Sequence, residues 1–117
     1  MPGHDPNPEA EAIFDDANGD LALGDLAAAA EKYRRCTEID PAYFDAWHAL
    51  GMALLKSGDL KGATGAALMA TDLQPNDLLA WTSLSQIYVR AGKIAEAEDA
   101  KGKARILSLG GKVVRDA

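Results

Sequence analysis

The sequence predicts an all-α protein, a solenoid of three stacked helix–turn–helix units. Three observations predict it. The chain repeats itself at a shift of 34 residues: Trp47 falls on Trp81, Leu50 on Leu84, Leu54 on Tyr88, and Gly58 on both Gly24 and Gly92. A period of this length marks stacked supersecondary units. Within a copy, apolar residues recur at i, i+3, i+4 and i+7, one face of an α-helix. Ala and Leu dominate while Val, Ile and Thr are sparse, and the first two keep their rotamer freedom in a helix. The chain has 117 residues, 48% of them hydrophobic, enough for one domain with a modest core.

The copies span about 10–43, 44–77 and 78–111. They form one domain over residues 9–109, between a lead at 1–8 and a tail at 110–117. The lead holds Pro2, Pro6 and Pro8 and is expected to be flexible. In the first unit, Ala10, Ile13, Phe14, Ala17 and Leu21 make a helical stripe, but Asp16 and Asp20 fall where Leu50 and Leu54 stand. A slightly rotated first helix with a polar outer face, closing the end of the stack, accounts for both. Leu26, Ala29, Tyr33, Cys36 and Ile39 form its second helix.

The middle unit opens with Trp47, Leu50, Gly51 and Leu54 on one face. "SGDL" then breaks the pattern: Gly58 takes the left-handed turn, and Asp59 caps the next helix by accepting a backbone N–H. Leu60, Ala63, Ala67, Ala70 and Leu73 make the second stripe, and Pro75 is expected to open the following helix, where its missing N–H costs nothing. The third unit repeats the scheme through Trp81, Leu84, Tyr88, the turn in "GKIAEA", Ala97 and Ala104. Gly110-Gly111 stops it, and the residues beyond are too few for a further helix.

The spacing Trp47, Leu50, Gly51, Leu54, Ala63, Ala70, Pro75 resembles the tetratricopeptide repeat, a 34-residue helix–turn–helix. The third copy keeps Trp81, Leu84, Tyr88, Ala97 and Ala104 but has Ser85 for Gly51 and Leu109 for Pro75. The resemblance covers about 102 of 117 residues. It implies a right-handed solenoid whose concave side is lined by the first helix of each unit. It further implies a non-catalytic module that binds a peptide or helix of a partner protein in that groove.

On that implication the groove is lined by Glu11, Phe14, Asp15, Asn18 and Leu21, then Asp45, His48, Ala49, Met52 and Lys56, then Leu79, Thr82, Ser83, Gln86, Val89 and Arg90. Its start is acidic, its middle soft and apolar through Phe14, Met52 and Leu79, and its far edge basic, an arrangement that would set the direction of a bound segment. Relatives that grip the acidic tails of heat-shock chaperones use a clamp of two lysines, two asparagines and an arginine. The matching positions here are Phe14, Asn18, Ala49, Leu79 and Ser83, of which only Asn18 fits, so binding in that mode is not expected.

Members of the family usually close the last repeat with a further helix, and none follows here. Leu107, Leu109, Val113 and Val114 are therefore expected to be partly exposed: either the tail folds back, or another molecule covers this end and makes it a self-association site. Gly62 and Gly65, with Ala66 and Met69, offer a second one on the convex side. The alternatives to a groove binder are thus a self-associating structural unit, a homodimer, and a regulatory subunit of a larger complex.

Charge narrows the partners. The net charge is −6, which argues against nucleic acid, and it is uneven: residues 1–58 carry −7 and residues 59–117 carry +1. No stretch approaches the ~20 apolar residues that span a bilayer, and the N-terminus does not read as a signal peptide. Cys36 is the single cysteine, so no internal disulfide forms; it reads as a core filler in a cytoplasmic protein. His48 stands near Asp45 and Met52 on one helix face, but two ligands on one helix do not make a metal site. His4 has no partner identifiable from sequence. With no nucleophile–base pair, phosphate loop or paired cysteines, neither catalysis nor a cofactor is expected.

Overall fold

Each predicted unit folds as a pair of helices packed on one another. The computed structural model describes residues 4–113, which hold six helices: α1 Pro8–Ala22, α2 Leu26–Ile39, α3 Phe44–Ser57, α4 Leu60–Leu73, α5 Leu78–Arg90 and α6 Ile94–Ser108. Within a unit α1 packs on α2, α3 on α4 and α5 on α6; between units α2 meets α3 and α4 meets α5. α3 and α5 also touch, so the first helices run along the inner side of the stack.

The turns follow from their residues. Gly24, Gly58 and Gly92 end the first helix of each unit, and Gly58 sits at φ 91°, a left-handed conformation that side chains disfavour. Asp25 caps α2 by accepting from Ala28 N at 3.1 Å, and Asp59 caps α4 by accepting from Gly62 N at 2.9 Å.

Pro75 does not open α5. The helix begins three residues later, at Leu78, because Asp77 accepts from Ala80 N at 2.9 Å and so supplies the cap. The proline serves the turn instead: its carbonyl accepts from Trp81 Nε1 at 2.7 Å, and the Pro41 carbonyl accepts from Trp47 Nε1 at 2.8 Å.

Residues 4–8 of the lead take part in the start of α1 and in a contact with the α2–α3 turn. Asn7 caps α1, accepting from Glu9 N and Ala10 N, and Pro8 is the first helical residue, where it lacks only a donor that has no helical partner. His4 Nε2 lies 2.8 Å from both oxygens of Asp40, which also accepts from Asn7 N at 2.9 Å. Burial pushes the Asp40 carboxyl up, but Asn7 N–H, His4 and Ala42 N–H outweigh it and hold the group below its ordinary value.

The core runs through all three units, from Ala17, Tyr33, Leu50 and Leu54 to Leu84, Ile87 and Ala100. A smaller cluster at the first junction joins Ala10, Cys36, Tyr43 and Ala46, with Ile13, Phe14 and Ile39 packed on it. Cys36 is buried and donates through Sγ to the Ala10 carbonyl at 3.3 Å. At the outer end of the first unit, Lys32 stands 2.7 Å from Asp16 and from Asp20. In the 34-residue register these are Ala66, Leu50 and Leu54, all buried. One ionic cluster thus replaces one apolar contact in the first unit, and the two carboxylates hold the Lys32 ammonium well above the usual lysine range.

At the other end Leu107 is half-buried, Leu109 exposed and Val113 half-buried. The tail turns at Gly110, and Val113 N donates to Asn76 Oδ1 at 2.8 Å, so it folds back toward the α4–α5 turn. Val114 lies outside the described residues.

Candidate partner-binding surface

The acidic start of the inner face is gathered around one side chain. Tyr43, buried just before α3, has its hydroxyl pushed up to about 12, first by burial and then by Asp45, Glu11 and Asp15. All three carboxylates are exposed. Two predicted groove residues beside them are spoken for. Phe14 packs between Tyr33 and Tyr43, with ring centroids 5.5 and 5.2 Å away, so it belongs to the core rather than to an anchor surface. Asn18, though exposed, accepts from the Tyr33 hydroxyl at 2.5 Å.

The middle of the face is more ordered than sequence suggests. His48 stacks on Phe44 with centroids 6.0 Å apart, and its Nε2 lies 3.0 Å from Ser83 Oγ. This bond crosses from α3 to α5 and buries Ser83. Met52 is half-buried against the core. Among the described residues no group of three His, Cys, Asp or Glu side chains could hold a metal ion.

The far end is open. Thr82, Gln86, Val89 and Arg90 of α5 face Glu98, Lys101 and Ala104 of α6 across a groove of about 560 Å³, with Leu55 at its inner edge. Leu79, near the start of α5, and Lys56, at the end of α3, are exposed. The α6 side was not among the predicted site residues. It is legible in the repeat register, where Glu98 replaces Thr64 and Lys101 replaces Ala67.

On the opposite side, Gly65 has no atom within 4 Å of an added Cβ, whereas a Cβ on Gly62 would stand 2.5 Å from Asp59 Oδ2. Lys103 Nζ sits 4.9 Å from the Trp81 ring centroid, a cation–π contact that covers part of this face. Among the described residues no helix is long and apolar enough to cross a membrane.

A family model described as TPR repeat matches residues 18–58, and one described as tetratricopeptide repeat matches residues 48–106. No curated protein matches closely enough to count as a relative. Solved structures do. The Sgt2 TPR domain from Aspergillus fumigatus is 23% identical, with a TM-score of 0.83 over 97% of this chain and 76% of that one. MamA is 23% identical, with a TM-score of 0.82 over 86% of this chain and 59% of that one. The second TPR of Spaghetti (RPAP3), solved with the HSP90 peptide SRMEEVD, is 24% identical, with a TM-score of 0.81 over 86% and 93%. The chain thus spans less than two thirds of the MamA chain, and likenesses at these identities establish a shared fold.

Proposed function

The chain belongs to the tetratricopeptide repeat family, and from that premise we propose that it is a non-catalytic interaction module holding a segment of a partner protein along its inner face. Proteins of this fold generally serve protein–protein interaction. The observation that carries the finer reading is the charge gradient along the inner helices. Glu11, Asp15 and Asp45 all act on Tyr43 at one end, and Lys56 and Arg90 stand exposed at the C-terminal ends of α3 and α5, with Met52 within α3 and Leu79 at the start of α5. A peptide or helix with an apolar centre, a basic end toward Asp45 and an acidic end toward Arg90 satisfies all three zones.

The HSP90 peptide bound by Spaghetti is a poor guide to the ligand here. At the clamp positions, Phe14 is in the core, Ala49 and Leu79 carry no charge, and Ser83 is buried against His48. The proposed setting is the cytoplasm, where a single buried thiol stays reduced.

The test is affinity capture with the full chain beside an Asp45→Lys/Lys56→Glu/Leu79→Glu variant, all three being exposed residues. The helical content of both is matched first by circular dichroism. A protein retained by wild type and lost by the variant supports the inner face as the site. Equal retention by both refutes it.

A further inference from the structure

The groove at the end of the third unit has a filled counterpart one repeat earlier. Ser85, Val89, Lys101 and Ala104 correspond to Gly51, Leu55, Ala67 and Ala70. Those four are buried where α5 follows on α3 and α4. Leu55 is 7% exposed, while its counterpart Val89 is 55% exposed.

The first junction shows what such a seat holds. Ala46 of α3 clusters with Ala10 and Cys36, with Ile39 packed on them. Ala80 is its successor in α5, and the two are 0% and 1% exposed. In the third unit, Leu78, Ala104 and Leu107 occupy the register of Ala10, Cys36 and Ile39. Among the described residues no further helix packs on them: Leu78 is 44% exposed and Leu107 half-buried, while Ala104 is buried and the tail passes nearby to Asn76.

α1 carries the same alanine in the same register. Ala12 aligns with Ala46 and Ala80 but is exposed. Gly19 aligns with Ala53 and Ile87, both buried; it too is exposed, with no atom within 4 Å of an added Cβ. Asp15 stands between these two small residues beside Asp16, which Lys32 already holds, and Glu9 precedes them. The receiving groove bears Arg90 and Lys101 against a single Glu98. The charge of −7 on residues 1–58 against +1 on residues 59–117 points the same way.

We propose that α1 of one molecule seats in the α5–α6 groove of another, with Ala12 over Leu78, Ala104 and Leu107, so that the second copy supplies the next unit. The contact pairs two different surfaces and repeats the step by which one unit follows another, so it extends the solenoid into open head-to-tail chains. Carboxylates on the incoming helix meet a basic rim, so association strengthens as salt falls. The contact shares Asp15 and Arg90 with the inner-face reading but turns on Ala12 and Lys101, which that reading does not use.

Sedimentation velocity of the full chain, from micromolar to near-millimolar and at low and high salt, tests it. The average mass rises steadily from 12.3 kDa with concentration at low salt and less at high salt. Ala12→Arg blocks the head and Lys101→Glu repels it, so each variant alone stays monomeric. Mixed, they combine through the one intact groove and the one intact head and stop at twice the monomer mass. Asp15→Lys combined with Lys101→Glu in one chain restores growth. Melting curves confirm that each variant is folded. A wild type that stays monomeric throughout overturns the proposal, as does a plateau at the dimer or an Ala12→Arg variant that still grows.

Discussion

Replacing Gly65 by Ala tests the helix assignments most cleanly. Gly65 lies inside α4, on an exposed position, and an added Cβ meets no atom within 4 Å. The whole difference in helix propensity should then reach the folded state, about 0.5–1 kcal/mol in favour of Ala. Unfolding entropy of about 2 cal/mol/K per residue gives roughly 0.25 kcal/mol/K for this chain, so Tm should rise by about 2–4 °C. Gly62→Ala provides the first control. Its Cβ would stand 2.5 Å from Asp59 Oδ2, so the cap must turn aside. The Asp25–Ala28 pair in α2 keeps its bond at 3.1 Å with alanine in that place, so the cap survives and the net change is close to zero. Gly58→Ala provides the second. At φ 91° an L-residue is strained, and the loss should be about 1–2 kcal/mol. Thermal and urea unfolding followed by far-ultraviolet circular dichroism should rank Gly65→Ala highest, Gly62→Ala near wild type and Gly58→Ala lowest. A Gly65→Ala protein that melts below wild type would refute the open convex surface and the placement of α4.

Two further predictions concern the aromatic residues. Trp47→Phe removes the 2.8 Å bond to the Pro41 carbonyl, which is exposed and rehydrates, so urea unfolding should show a loss of about 0.5–1 kcal/mol. Trp47→Ala, at a half-buried position, should cost about 3 kcal/mol, and a wild-type midpoint for it would undo the repeat alignment. Burial raises Tyr33, Tyr43 and Tyr88, with Tyr43 reaching about 12. An unfolded tyrosine loses its proton near pH 10, so between about pH 10 and 12 the folded chain binds more protons, and stability, full below that window, falls as pH rises through it. An ultraviolet titration showing tyrosinate at the unfolded value while helicity persists would contradict this.

The stack was readable because its information is local or periodic. Asp25 and Asp59 cap from within three residues, and the glycine turns recur every 34. What escaped depends on partners distant in sequence or on a competition between neighbours. His4 meets Asp40 across 36 residues, and nothing in "MPGHDP" points to it. Pro75 is an acceptable first helical residue, but Asp77 offers a side-chain cap and starts α5 later. The register of α3 transferred to α1 points Phe14 at the groove, although Asp16 and Asp20 mark this helix as specialised; the rings of Tyr33 and Tyr43 draw it against the core. Ser83 looks like a groove residue until His48, 35 positions away, takes up its hydroxyl. The α6 side of the open groove lies outside the first helices that the family resemblance points to, yet Lys101 against Ala67 marks it without any structure.

The two indole bonds have a practical corollary for anyone recombining this chain. Each tryptophan reaches back six residues, past the start of its own helix, to a proline carbonyl in the connecting turn. A segment cut at Phe44 or Leu78 leaves half of that latch behind. Cut instead at Pro41 and Pro75, residues 41–74 and 75–108 become cassettes of equal length, each carrying its latch complete. Swapping, duplicating or deleting such cassettes then preserves the bond at every joint, and the proline, not the helix start, is the natural seam.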